Sequence, residues 1–329
     1  MQPQAFRLAD QQVVERFLAT RPSSADDAPR LNFAWSTWGF GREPFADSVA
    51  RLAKHDVRWI ELHGDHYGRS FGTPVAEMRS VLDAHGVKVA GICGMVSPES
   101  ELSATSHVIR QRAIDYFERH AELCAELGGT YVLFAAGAVG RPTKYDDHEW
   151  LRAVDTAQKI AGAFERHGVL GALEPVRPDE VSILHTLAEA ERMLADVDRP
   201  GIQHLNPDLY HMLAGESHLG LAILEHGEKF ASIHLADTNR RALGTGHLDL
   251  DVVQMALHAV GHARPDRFCA AEPLGAGGNP YDQMHGPADP EALDALVGQT
   301  ARTWREREEV ILSTDADELR AAYGLQTVS

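Results

Sequence analysis

Short apolar runs alternate along the chain with longer amphipathic stretches. Eight runs stand out, at residues 32–36, 57–62, 87–92, 130–135, 169–174, 201–205, 230–235 and 268–272. Each is brief and largely apolar, as expected of parallel strands buried on both faces. Between them, Phe45, Ser48, Val49 and Leu52, and again Ile114, Phe117, Ala121 and Leu123, keep a spacing of mostly three or four residues. That spacing predicts helices that each lay one face on a sheet. Gly86, Gly128 and Gly168 precede the next apolar run, where a helix C-cap belongs.

Eight strand-then-helix units with right-handed crossovers close into a single (β/α)8 TIM barrel, an α/β fold. A chain of 329 residues accommodates that barrel, which typically needs about 250, together with extensions. An open doubly wound sheet would call for a G-x-G-x-x-G turn opening a helix after an early strand, and none is present. Residues 1–30 are assigned to an N-terminal extension with a short helix over 11–19 and a polar linker, and residues 31–329 to the barrel with its C-terminal helix and tail. The charged segment WREREEVIL predicts a solvated helix face, with Trp304 turned toward the barrel.

Charge and composition narrow the function. A net charge of −17, from 48 acidic and 31 basic side chains, repels phosphate backbones and argues against nucleic acid or an anionic membrane as partner. Cys93, Cys124 and Cys269 have no metal-type spacing and predict free buried thiols in a reducing compartment. No apolar leader or bilayer-length stretch is found, so a cytoplasmic protein is expected.

In a TIM barrel, chemistry gathers at the C-terminal ends of the strands. There the fifth run ends in Glu174, the sixth leads into Asp208, the seventh contains His234 and the eighth ends in Glu272. Three carboxylates converging on one mouth repel one another unless a cation neutralises them. Oxygen-rich ligation with one imidazole suits one divalent ion, Mn2+ first, with Mg2+ or Co2+ as alternatives.

The segments LEPVRPDE, NPDLYH, HLADTNRRALGTGHLD and AEPL resemble the xylose-isomerase-like sugar isomerase/epimerase superfamily, and its ketose 3-epimerases in particular. The resemblance implies that Glu174, Asp208, His234 and Glu272 ligate the metal. It also implies that Glu174 and Glu272 exchange a proton with a substrate carbon from opposite sides, and that Glu180, His211 and Arg240 bind substrate oxygens. His211 and Arg240 would then also support catalysis at those oxygens. A bland alternative pairs Arg240 with Asp237 on its own loop.

The early loops NFAWSTWGFG, IELHGDHYG, GICGM and GAVGRPTKYDD, with AGGNPYDQMHG and TWREREE, resemble the α-subunits of bacterial C-glycoside deglycosidases of the same superfamily. That resemblance implies Mn2+-assisted deprotonation of a 3-oxo-C-glycoside, β-elimination of the aglycone, and a smaller β-subunit as partner. On it, the C–C lyase is taken first, with ketose 3-epimerase or sugar isomerase as the alternative. Both readings begin by removing a proton next to a carbonyl of a small sugar or glycoside. His63, His66, His148 and His285 are candidate helpers, because histidine changes charge near neutrality. Trp35, Trp38, Phe40 and Tyr67 could stack on sugar or aglycone, or instead plug the mouth; Trp38, His63 and His285 join Glu180 as expected substrate contacts. Barrels of this group assemble, so an oligomer is expected. A multi-metal DNA-repair endonuclease is disfavoured by the acidic surface, and a non-catalytic scaffold by the intact base positions.

Overall fold

The computed structural model describes residues 4–22, 24–64, 74–94, 97–275 and 285–325. The parallel strands are β1 Phe33–Ser36, β2 Trp59–His63, β3 Lys88–Cys93, β4 Tyr131–Ala135, β5 Leu170–Glu174, β6 Ile202–Leu205, β7 Ser232–Leu235 and β8 Phe268–Ala271. They pair in the order β6-β5-β4-β3-β2-β1-β8-β7. Bridges between Leu205 and Phe230, and between Asp208 and His234, close the remaining seam. The fold is a (β/α)8 barrel, with each strand lying within the run expected for it or passing it by one residue.

Alternation along the strands sorts the core into two layers. Tyr131, Leu133 and Ala135 share one apolar cluster with Ala34, Ala172, Ala231 and Ala270. Small residues suit that narrow interior. Val132 and Phe134, in the opposite phase, join the cluster formed with the helices, which includes Phe117 and Phe164. In the inward phase, Leu170 and Ala172 lead to Glu174, and Phe268 and Ala270 lead to Glu272. The same two-residue period that fills the barrel therefore carries both glutamates to its mouth.

The helices α2 Phe45–Lys54, α3 Val75–His85, α4 His107–Glu126, α5 Glu149–His167, α6 Leu187–Val197, α7 Leu209–Gly215, α8 Leu219–His226 and α9 Leu250–Ala259 follow the strands. Gly86 and Gly168 cap α3 and α5 in the left-handed region, at φ 63° and 67°. A side chain there would be strained. The N-terminal helix α1 spans Gln4–Thr20, longer than residues 11–19, and packs on α8 and α9 through the buried Val13, Val14 and Phe17. Helices α10 Pro290–Ser313 and α11 Ala316–Ala322 complete the chain's described part.

The expected solvated face on α10 is present at Arg305, Glu306 and Glu309, and Trp304 turns inward as expected; Glu308 is the exception. Trp304 is fully buried, its ring 6.2 Å from that of Phe33. Glu308 is buried as well, accepting from the Leu31 amide at 2.8 Å and lying 3.0 Å from His258 Nε2. Charge spacing alone did not reveal that one of those glutamates is paired inside. Among the described residues, no helix is long and apolar enough to cross a membrane.

Candidate metal centre and active site

Glu174 ends β5, and His234 lies in the inward phase of β7. Glu272 directly follows β8, its amide donating to the Leu235 carbonyl at 2.9 Å. Asp208 caps α7, one oxygen accepting from the Tyr210 amide at 2.7 Å. His234 N–H donates to the Pro207 carbonyl at 2.8 Å, so the barrel's closing seam sets Asp208 beside His234.

All four side chains are buried. His234 Nδ1 lies 3.3 Å from Glu272 Oε2 and 3.8 Å from Glu174 Oε1. Ligand atoms of Glu174, Asp208 and His211 fall within 4.8 Å of one another. Behind Glu272, its Oε1 accepts from Ser36 Oγ at 3.1 Å and lies 3.9 Å from Cys93 Sγ. The other oxygen is left toward His234.

Burial and mutual repulsion shift the charges of this cluster. Burial, then Asp208, Glu272 and Glu61, push Glu174 well above the ordinary carboxylate range. Burial raises Asp208 to about 6, against the pull of Arg240 and His234. For His234, burial lowers the imidazole, but Glu272 and Glu61 outweigh it and hold it well above its usual value. For Glu272, burial is outweighed by His234, and the carboxyl stays below its ordinary value. His234 Nδ1, buried among these carboxylates, makes no well-formed hydrogen bond. An orphaned imidazole nitrogen facing carboxylate oxygens fits a hard or borderline divalent ion. Glu174, Asp208, His234 and Glu272 could hold it; among the described residues the candidate ligand atoms fall into two groups, Glu174 with Asp208 and His211, and His234 with Glu272, Glu61 and Cys93.

A polar rim lies beside the cage. Arg240 Nη1 is 3.3 Å from Glu180 Oε1, and its guanidinium lies 4.7 Å from the Tyr210 ring centroid. Arg177 lies over the same ring at 4.7 Å. The alternative pairing with Asp237 does not form. Asp237 instead accepts from the amides of Thr238 (2.8 Å), Gly244 (2.8 Å) and Leu248 (3.2 Å), which folds the loop after β7 around it. Arg240 takes φ 56°, fixed by its amide to the Asp237 carbonyl (2.7 Å) and its carbonyl from the Gly275 amide (2.6 Å). A non-glycine residue in this region stores strain, which gathers at functional sites. His211 Nε2 lies 3.6 Å from Asp208, and burial with Arg240 and His234 nearby keeps it well below its ordinary pKa. Among the described residues, Glu180 Oε2, Arg240 Nε and His211 Nδ1 are buried without hydrogen-bond partners.

Of the other expected residues, Trp38 is buried in a short turn after β1, its ring edge-on to His63 at 6.0 Å. His63 Nδ1 lies 2.9 Å from Thr37 Oγ1. His148 is exposed beside Asp146, and His285 is exposed next to residues 276–284. His66 and Tyr67, like Met95 and most of the AGGNPYDQMHG segment, lie outside the described residues. Trp35 and Phe40 are not pocket walls: they stack on each other at 5.8 Å inside the helix-facing core.

One residue of the site was missed. Glu61 of β2 is fully buried, and its carboxylate lies 2.9 and 3.2 Å from His234 Nε2. The signal was there in a charged residue one place before the end of an apolar run, on a strand expected to be buried on both faces.

Residues 49–273 match the family model described as Xylose isomerase-like TIM barrel. The chain belongs to this family. Within the xylose-isomerase-like barrels it resembles L-ribulose 3-epimerase of Mesorhizobium japonicum, with 29% identity over 170 residues covering 50% of this chain and 56% of the relative. It also resembles ketose 3-epimerase of Arthrobacter globiformis, 27% identical over 202 residues, 60% of this chain and 68% of the relative. The crystal structure of D-allulose 3-epimerase from Methylomonas sp. in complex with D-allulose superposes with a TM-score of 0.73 at 20% identity, covering 85% of this chain and 98% of that one, a likeness of fold. These relatives are epimerases. The C-glycoside lyase, taken first on the early loops, gains no support from them, and the alternative fits better.

Proposed function

We propose that this protein is a divalent-metal-dependent ketose epimerase that acts at the carbon next to the substrate carbonyl. The observation that carries the proposal is the placing of two buried carboxylates, Glu174 at the end of β5 and Glu272 after β8, within 3.8 and 3.3 Å of His234 Nδ1. Inverting a carbon centre by proton transfer needs one group to take the proton from one face and another to return one to the opposite face. Two glutamates on separate strands provide that pair.

A divalent ion held by Glu174, Asp208, His234 and Glu272 would polarise the substrate carbonyl and make the adjacent C–H more acidic. The chain's own groups do the rest. Arg240, steadied by Glu180 and the Tyr210 ring, offers N–H donors where negative charge develops on substrate oxygen. His211, kept neutral by burial, has a free ring nitrogen for a substrate hydroxyl. Glu180 holds Arg240 with one oxygen and keeps the other for a second hydroxyl. These unpartnered polar atoms prefer a polyhydroxylated substrate to an apolar one, since each would otherwise stay buried and unsatisfied.

The test is to incubate the Mn2+-loaded protein with a panel of free ketopentoses and ketohexoses and, separately, with a 3-oxo-C-glucoside. Accumulation of a C3 epimer from a ketose supports the proposal. Release of aglycone from the oxo-C-glycoside, with every ketose unchanged, overturns it in favour of elimination.

A further inference from the structure

We propose that Glu61 is a positioning residue of the metal centre, holding His234 with its proton on Nε2 so that the Nδ1 lone pair faces the ion. The inference rests on the metal-centre reading above and extends it to a residue that lies behind His234.

Four features of the fold converge on Glu61. Its two oxygens lie 2.9 and 3.2 Å from His234 Nε2, hydrogen-bond distances for a ring N–H donating to a carboxylate. The opposite ring nitrogen, Nδ1, is the one that faces Glu174 and Glu272. The pairing of β2 with β3 shifts register between Ile60 and Glu61, setting Glu61 opposite Gly91. Such a shift re-aims a side chain, here into the barrel. Finally, Gly91 lacks the Cβ that would lie 2.6 Å from the Tyr131 ring. The ring occupies that space, and its hydroxyl donates to Glu61 Oε2 while lying 3.1 Å from Ser232 Oγ.

A neutral imidazole ligates through one nitrogen and donates through the other, and the acceptor behind it decides which is which. A fully buried carboxylate with one oxygen held by the Tyr131 hydroxyl is fixed in place to serve as that acceptor. A solely structural Glu61 would need nothing so specific; burial of an unneeded carboxylate is costly, and an apolar residue would fill the strand better.

The experiment measures metal affinity and the protonated ring nitrogen in the full-length protein. Mn2+ and Zn2+ dissociation constants are measured by titration of metal-free wild type, Glu61→Ala, Glu61→Gln and Tyr131→Phe. The His234 protonation site is read from long-range 1H–15N correlation of the Zn2+ form. The expected result is a proton on Nε2 in wild type and affinity weakened 10–100-fold in Glu61→Ala, the range typical of lost outer-shell partners. Glu61→Gln, whose amide oxygen still accepts from Nε2, recovers part of that loss. If Glu61→Ala fails to fold by circular dichroism, Tyr131→Phe, which frees the carboxylate from its anchor, carries the test with a smaller loss. Metal bound by wild type with a proton on Nδ1, or affinity unchanged in every folded variant, overturns the positioning role and leaves the metal centre standing. A wild-type protein that takes up no divalent ion removes both.

Discussion

Arg240 reaches Glu180 at 3.3 Å, tying the loop after β7 to the loop after β5 across the rim of the cage. Each belongs to a different βα unit, yet each leaves a buried polar atom without a partner, Nε on Arg240 and Oε2 on Glu180. Arg240 also rests against Tyr210, which Arg177 meets at the same 4.7 Å separation. The rim is therefore held together by the chain's own contacts.

Arg240→Lys tests that assembly. Lysine keeps the charge but loses the planar fork and its stacking on Tyr210. We expect kcat/KM on a ketose to fall about 10–100-fold, equivalent to about 1.4–2.7 kcal/mol of transition-state stabilisation. Steady-state kinetics check this, with metal content unchanged because Arg240 is not among the ligand candidates. Unaltered kinetics would remove Arg240 from the substrate site.

Glu174→Gln and Glu272→Gln should each lower kcat by about 10²–10⁴-fold, the usual range for loss of a general acid or base. Because each residue is also a candidate ligand, turnover is compared at equal metal occupancy, measured by atomic absorption. Substantial turnover in either fully loaded variant would take proton transfer away from that residue.

Metal removal has a stability signature. Bringing Glu174, Asp208 and Glu272 together without a cation is unfavourable, and an ion bound only by the folded state stabilises it by mass action. At a hundredfold excess over Kd the gain is about 2.7 kcal/mol. We expect EDTA to lower Tm on the order of 5 °C, reversibly on adding back Mn2+. A Tm insensitive to both treatments would count against the centre.

Two histidines far from the mouth predict an acid weakness. Burial, against a ring N–H bond to the Tyr116 carbonyl, holds His120 at about 4, and burial likewise holds His262 at about 4. Unfolded histidine titrates near 6.5, so as pH falls the unfolded chain takes up these protons first. Their contribution is complete above about 6.5 and drains away between about 6.5 and 4, at up to about 3 kcal/mol each. Urea unfolding of metal-free protein from pH 7.5 to 5 should show the loss. The His120→Gln/His262→Gln variant should show a shallower slope; equal slopes would refute the assignment.

Much of this arrangement was legible in the chain. All eight strands could be read because two-sided burial leaves nearly uninterrupted apolar runs, and three of the four ligand candidates come directly from strands or strand ends. Asp208 was legible as the carboxylate that follows the sixth run, but its placement three residues past β6 is set by a helix cap and the closing seam. Glu61 stood out only as a charge inside a buried strand; that it meets His234 could not be read, because its direction depends on a register shift and on the space left by Gly91 in a neighbouring strand. The aromatic residues of the first loop could not be sorted by pattern either. Trp35 and Phe40 turned to the helices, whereas Trp38 joined the interior cluster. Such outcomes are decided by packing between strands distant in sequence, which local periodicity does not encode.

The most direct test of proton transfer at a sugar carbon is solvent exchange in D2O. The Mn2+-loaded protein is incubated with ketohexose, the metal is removed, and deuterium is located by mass spectrometry and NMR. The account predicts one deuterium at C3, in both epimers, with incorporation abolished by Glu174→Gln and by Glu272→Gln. A metal-replete wild-type protein that leaves ketopentoses and ketohexoses free of deuterium would contradict it.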